Sequence, residues 1–332
     1  MLLIATIDRF RNIQANAFRC GGIAHGICNS HRLHDGIALG VFLQEWAAVA
    51  RGSGGGSGSS GVAARDLMVA AKLFPANDLW LSDSSKIVFN SMCRPGNSVT
   101  KMFTFTGPAI EALRARGKGP SVKSPTRVEA VSGLLWKCAM AALERKNNGL
   151  RRPSVFTHLV SIRKRMSPPF WGPLGSSLWL AAHYKSTKSH RTEDVLPSLV
   201  GELRGALSKV DGEFLSRLRQ DNSLISGSLE KVLGVGLSEY GQGVDHFVCS
   251  SWCSFEFYDI DFGWGRPVWV SSIGLCKPMF LNLIFLVDTR SGDGIEAWVT
   301  MDEPEMALLQ EDTELRAFAN LNPSPLTISS KF

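Results

Sequence analysis

The hydrophobic period of this sequence switches repeatedly between two and 3.6, and that switching confines the chain to a mixed α/β architecture. Residues 18–30 (FRCGGIAHGICNS) read as a strand, rich in small residues that let neighbouring backbone come close. Past His31–Asp35 the pattern turns helical. Leu39, Phe42, Leu43 and Trp46 fall at i, i+3, i+4 and i+7, one apolar stripe of a helix. Asp35 stands just before the first turn, where a carboxylate can cap free N–H groups. The local order is therefore strand, short loop, helix, with His31 on the loop.

The same reading places strands over 101–106, 155–162, 178–184, 247–251, 267–271, 281–287 and 296–301. It places helices over 108–116, 126–144, 192–233 and 303–319. The helix over 126–144 is the clearest, with Val128, Val131, Leu134, Leu135 and Cys138 as its apolar stripe. No internal repeat stands out. Residues 52–61 (GSGGGSGSSG) form a low-complexity segment. Gly56, Gly58 and Gly61 match GxGxxG there, but no strand precedes and no helix follows, so dinucleotide binding has no support. Residues 62–100 lack clear periodicity and read as a long connection, of the kind that is either functional or crosses between domains.

Composition narrows the function classes. The 332 residues suggest two domains or one large one. An apolar share of 44% is enough for an ordinary core. A net charge of +6 without any block of five like charges gives weak attraction for an anionic small ligand and no nucleic-acid motif. Cys20, Cys28, Cys93, Cys138, Cys249, Cys253 and Cys276 are odd in number and form no CxxC pair. They read as free thiols of a reducing compartment, with no metal site. Residues 1–7 are apolar but lack a basic lead, so no secretion signal is expected. No apolar run is long enough to span a membrane. The expected location is the cytoplasm.

Two segments carry chemistry or unusual shape. The first is Asn29-Ser30-His31-Arg32-Leu33-His34-Asp35-Gly36. A histidine on a tight loop after a buried strand can be held in one tautomer and aimed into a cleft. Imidazole suits the removal of a proton from a hydroxyl and its later return. An HxxxD match has only two fixed positions, and a satisfied surface or core histidine fits it equally well. The second segment is Asp261-Phe262-Gly263-Trp264-Gly265-Arg266-Pro267. Two glycines around a tryptophan, then a proline, describe an irregular and closely packed loop. No GxSxG elbow, HExxH pair or Walker A loop is present to support other chemistries.

HxxxD followed 230 residues later by DFGWG resembles the double signature of the BAHD acyltransferases. The flanks SPTRVEAVSGLLWKC, SIRKRMSPP, SSWCSFEFYDIDFGWGRPVWVSS and DGIEAWVTMDEPEMALL resemble the family too. The CGGIA lead into His31 is nearest to the vinorine synthase-like branch of alcohol O-acetyltransferases. The resemblance implies an α/β fold with mixed sheets, α+β in detail. It implies two chloramphenicol acetyltransferase-like domains with a solvent channel between them. Residues 1–98 would be the remnant of the first domain and 99–332 the second.

Acyl-CoA would be the cosubstrate, with no permanently bound cofactor, and a small alcohol or amine the acceptor. The implied enzyme is a monomer. His31 would be the general base, and Ser250 and Trp252 would stabilise the tetrahedral oxyanion. Asp35 would turn away from substrate and pair with Arg163, a role compatible with a plain helix cap. Asp261, Gly263 and Gly265 would be architectural. Thr126 and Arg127 would meet the CoA phosphates, or else simply start a helix.

The sequence departs from the family in two places. The block that usually precedes HxxxD is absent, which implies an N-terminally truncated chain. The usual GN pair is replaced by Leu174-Gly175-Ser176-Ser177. A reading from a different class is a non-catalytic fragment or pseudoenzyme that acts as an interaction protein.

Overall fold

The computed structural model describes residues 11–31, 33–52, 69–74, 92–170, 174–185, 195–221, 224, 243–271 and 279–324. The first described elements are an antiparallel hairpin of β1 (Arg11–Ala17) and β2 (Ile23–Asn29), in register from Arg11↔Asn29 to Ala17↔Ile23. Gly21, at φ 83°, allows the turn between them. Phe18 N donates to Gly22 O at 2.8 Å and Gly21 N to Phe18 O at 2.9 Å. The strand expected over 18–30 therefore begins at Ile23, because its small-residue lead is spent on the turn. β1 has little strand character of its own and owes its form to pairing with β2.

Helix α1 (Gly36–Ala50) follows the His31 loop, and Asp35 caps it by accepting from Ala38 N at 2.8 Å. Leu43 and Ala47 on its buried face pack with Phe257 and Ile260, and Trp252, Phe255 and Phe262 close around them. A short helix, α2 (Val69–Leu73), comes next. The strand β3 (Arg94–Pro95) pairs with β8 (Met279–Phe280).

The main body is a seven-stranded mixed sheet. Along the chain it uses β4 (Ser98–Phe105), β5 (Ser154–Ser161), β6 (Leu178–Lys185), β7 (Asp245–Ser251), β9 (Asn282–Asp288), β10 (Ile295–Asp302) and β11 (Asn320–Leu321). Their spatial order is β11-β4-β10-β9-β7-β5-β6. β7 runs parallel to β5 and β9, and the other pairs are antiparallel.

One face of this sheet is buried under α4 (Arg127–Lys146), with α3 (Gly107–Arg116), α5 (Val195–Ser208), α7 (Glu303–Gln310) and α8 (Thr313–Phe318) around it. Val131, Leu134, Leu135 and Cys138 of α4 meet Phe156, Phe247, Ile284 and Val299 in this core. Thr126 and Glu129 form a capping box at the start of α4, which fixes where the helix begins. Trp136 is fully buried, and its Nε1 donates to Ser154 Oγ at 3.0 Å.

Three expectations need correction. The helix expected over 192–233 is broken after α5, because Asp211 caps a new helix, α6 (Gly212–Gln220), by accepting from Phe214 N at 2.8 Å. The helix expected over 303–319 is broken likewise, since Asp312 caps α8 by accepting from Leu315 N at 2.9 Å. Residues 267–271 are not a strand. Pro267 has no ladder N–H to give, and Val270 N donates instead to the Tyr258 hydroxyl at 3.2 Å. The GxGxxG glycines, Cys276 and most of 62–100 lie outside the described residues. Among the described residues no helix is long and apolar enough to cross a membrane.

Candidate active site

His31 stands just past the end of β2, on a turn in which Leu33 N and His34 N both donate to Ser30 O, at 3.0 and 3.2 Å. This turn is clamped to the segment ahead of β6. Gly175 N donates to Leu33 O at 2.7 Å, and a β-bridge joins His34 to Gly175. Gly175 sits at φ 94°, and a Cβ added there would stand 2.7 Å from Ala70 Cβ. Only glycine fits that position.

Asp35 faces away from His31 and into protein. Its Oδ1 accepts from Ala38 N, and its Oδ2 accepts from Arg163 Nε and from Ser177 N, both at 2.9 Å. Arg163 is fully buried. Its Nη2 donates to Gly175 O at 2.6 Å, and its guanidinium lies over the Phe170 ring at 5.2 Å. The carboxylate thus serves as helix cap and ion-pair partner together, the two roles left open by the sequence. Ser177 N–H and Gly175 O, from the segment where a GN pair was expected, bind the two members of the ion pair through the backbone.

The second half of the site comes from β7 and the loop beyond it. Phe247 and Cys249 of β7 point into the helix-covered core, which leaves Val248 and Ser250 on the opposite face. Ser250 is buried, between Leu159 of β5 and Phe285 of β9 in the ladder. Trp252 N donates to Leu286 O at 2.7 Å, and its ring packs on Phe285 with centroids 4.7 Å apart. Ser254 and Glu256 take left-handed backbone, at φ 67° and 56°. That turns Phe255 toward α1. A Cβ built on Gly36 would stand 2.5 Å from Phe255 Cε2 and 3.3 Å from Trp252 Nε1. Gly36, the residue after HxxxD, is therefore where the two halves touch.

The other expected residues fall elsewhere. Asp261 Oδ1 accepts from Gly263 N at 2.7 Å and Gly265 N at 3.0 Å, so it ties its own loop. Both glycines have positive φ, 104° and 109°. Arg51, at the far end of α1, donates to Asp261 O. The DFGWG loop thus holds the end of α1 about 22 Å from His31's end, taking 1.5 Å per residue. Phe262 packs edge-on against Trp46 at 4.8 Å and stacks on Trp264 at 5.6 Å. Thr126 is engaged in its capping box. Arg127 Nη2 donates to Gly294 O at 2.7 Å and reaches Asp288 at 3.3 Å. Asp288 in turn accepts from Ser254 N at 2.7 Å, which links Arg127 to the loop after Trp252.

Sequence reasoning missed two participants. Ser176 Oγ lies 3.2 Å from His31 Nδ1. Phe255 supplies the contact that makes Gly36 obligatory. The LGSS departure from the family pattern was the available signal for Ser176. Nothing in the sequence pairs Phe255 with Gly36.

Comparison with known proteins gives the chain's family and fold. The model of the Transferase family matches residues 8–316. Epi-neemfruitin B 7-O-acetyltransferase of Melia azedarach is 36% identical over 95% of this chain and 68% of its own length. Vinorine synthase superposes with a TM-score of 0.70 at 30% identity, over 94% of this chain and 66% of that one. The TRI101 protein of F. sporotrichioides, solved with coenzyme A and T-2, shares the fold at a TM-score of 0.69 and 16% identity, over 95% and 70% of the two chains. The chain thus spans about two thirds of the length of these relatives. With matching family model, relatives and fold, the chain belongs to the Transferase family, that of the BAHD acyltransferases.

Proposed function

We propose that this chain carries the acyl-transfer site of an enzyme that moves an acyl group, acetyl in the first instance, from acyl-CoA to a hydroxyl of a specialised metabolite. The observation that carries the proposal is the joint at Gly36. It sets the His31 loop and the Trp252 loop against each other, while Asp35 and Arg163 hold the histidine's end of α1 from behind. The relatives named as O-acetyltransferases support the reaction class.

In this reading the site lies between a lobe within residues 1–98 and a second within 99–332. His31 takes the acceptor's proton as its oxygen attacks the thioester carbonyl. The C–S bond then breaks, and the protonated imidazole returns its proton to the CoA thiolate. A thioester is activated already, so no acyl-enzyme is required. Ser250 Oγ and Trp252 Nε1 are the donors for the intermediate's oxyanion, worth about 3–4 kcal/mol each by analogy with such donors elsewhere. Arg127 keeps a third of its side chain exposed, the surface a CoA phosphate would use. The free thiols among the described residues fit a reducing compartment such as the cytoplasm.

The test is CoA release from acetyl-CoA with a panel of alcohols, comparing the protein with its His31→Ala variant. Loss of a general base lowers the rate about 10²–10⁴-fold. Equal rates in the two proteins reject His31 as base.

A further inference from the structure

We propose that Ser176 is the positioning residue for His31: its hydroxyl accepts from Nδ1–H and leaves Nε2 as the basic nitrogen. The inference deepens the acyl-transfer reading and rests on it for its kinetic consequence.

An imidazole acts as a base through one nitrogen only when the other carries the proton. If Nε2 is to take a proton from the acceptor, Nδ1 must be N–H, and that N–H needs an acceptor in place. Ser176 Oγ, 3.2 Å from Nδ1, is that acceptor. The arrangement also serves the protonated ring. Once Nε2 has taken its proton, Nδ1–H still points at an oxygen, so the ring need not turn during the reaction.

Ser176 is held on both sides. Before it, Gly175 donates its N–H to Leu33 O at 2.7 Å and receives Arg163 Nη2 on its carbonyl at 2.6 Å. After it, Ser177 donates its N–H to Asp35 Oδ2 at 2.9 Å and accepts from Ile162 N at 3.0 Å. Each of these bonds ties the segment to the His31 loop or to the residues bracing it. The serine hydroxyl and the histidine are thus set in one frame. Asp35, held by three donors, is not available to orient the ring, so that task falls to Ser176.

Long-range ¹H–¹⁵N correlations of histidine-labelled protein give the tautomer directly, with the His31 signals assigned by their loss in His31→Ala. The wild-type ring is expected as the Nδ1–H form, and Ser176→Ala as a mixture of both forms. Ser176→Thr keeps a hydroxyl and restores the Nδ1–H form. In the CoA-release assay Ser176→Ala lowers kcat about 10- to 100-fold, by analogy with the loss of an outer partner from a metal-ligating histidine, while KM moves less than about twofold. Ser176→Thr recovers most of kcat. An Nε2–H ring in the wild type, or an unchanged tautomer and kcat in Ser176→Ala, overturns the assignment. So does an acyl group found on Ser176 by intact mass after incubation with acetyl-CoA, which would make it a nucleophile. The tautomer measurement needs no turnover, so it stands even if His31→Ala proves as active as wild type and the acyl-transfer reading falls.

Discussion

Arg163 donates from Nε to Asp35 Oδ2 at 2.9 Å, with both side chains shut away from solvent. The pair joins the loop that carries His31 to the end of β5. Removing the arginine leaves a buried carboxylate with only two backbone N–H groups. Arg163→Met is therefore expected to cost about 3–5 kcal/mol. Arg163→Lys recovers little, since a point ammonium does not reproduce the planar fork whose Nε and Nη2 reach Asp35 and Gly175 O separately. Asp35→Asn combined with Arg163→Met is less destabilised than Arg163→Met alone, because the uncompensated charge is gone. Urea unfolding of wild type, Asp35→Asn, Arg163→Met, the double variant and Arg163→Lys checks this. Additive losses in the double variant would mean that the two residues act independently.

Gly36 gives a second test. A Cβ there meets Phe255 at 2.5 Å, so Gly36→Ala must push the ring or α1 aside. Overpacking of this kind costs about 1–3 kcal/mol. Activity is expected to fall further than stability, because the displaced parts carry His31 and Trp252. Gly40→Ala is the control. Its Cβ would come no nearer than 3.4 Å to Phe255 O, and alanine adds helix propensity of about 1 kcal/mol. Equal melting temperatures and rates for the two variants would remove Gly36 from the site.

The residues that bear on chemistry were legible wherever local rules decide them. Asp35 reads as a helix cap from position alone, and it is one. The stripe of α4 reads from its period, because one face must be buried. The strands read to within two residues where apolar runs are dense, as in β5, β7 and β10. Illegibility began where tertiary partners decide. β1 becomes a strand because β2 lies beside it. Residues 267–271 look like a strand, yet Tyr258 takes the Val270 N–H that a ladder would have used. The contact of Phe255 with Gly36 joins residues far apart in sequence, and no periodicity encodes it. Arg163 as the partner of Asp35 came from family resemblance, since spacing says nothing about a pair 128 residues apart.

Asp261 closes the DFGWG loop through one oxygen that accepts from two glycine N–H groups. These bonds hold its carboxyl below the ordinary carboxylate range. Asp261→Asn keeps an acceptor oxygen, and Asp261→Ala keeps none. Amide exchange at Gly263 and Gly265 is expected to speed up strongly in the alanine variant and only slightly in the asparagine variant. The Arg51 bond goes to the backbone carbonyl and survives both changes, so α1 stays anchored. Equal protection in all three proteins would show that the loop is held by its aromatic contacts instead.

Glu296 sets a pH dependence under this same loop. It is 2% exposed, and burial raises its pKa from 4.5 to about 7, with the Tyr258 hydroxyl bond opposing the rise. Tyr258 in turn receives Val270 N, so the carboxyl and phenol together anchor the chain that follows DFGWG. A carboxyl whose folded pKa is raised holds an extra proton in the native state between its unfolded and folded values. Its contribution is full below pH ~4.5 and is lost as pH rises through about 7, on the order of 3 kcal/mol in total. Asp245, raised by burial to about 6, adds a slope of the same sign at lower pH. His158, lowered by burial from 6.5 to about 4, works in the opposite sense, since it must stay neutral to remain buried. Comparison with Glu296→Gln cancels both. Urea unfolding at intervals from pH 5 to 8 is expected to show wild type losing stability relative to the glutamine variant, most steeply near pH ~6 and levelling off above about 7. Parallel curves would place the Glu296 carboxylate in its charged form throughout, and its bond to Tyr258 would then be an ordinary ionised one.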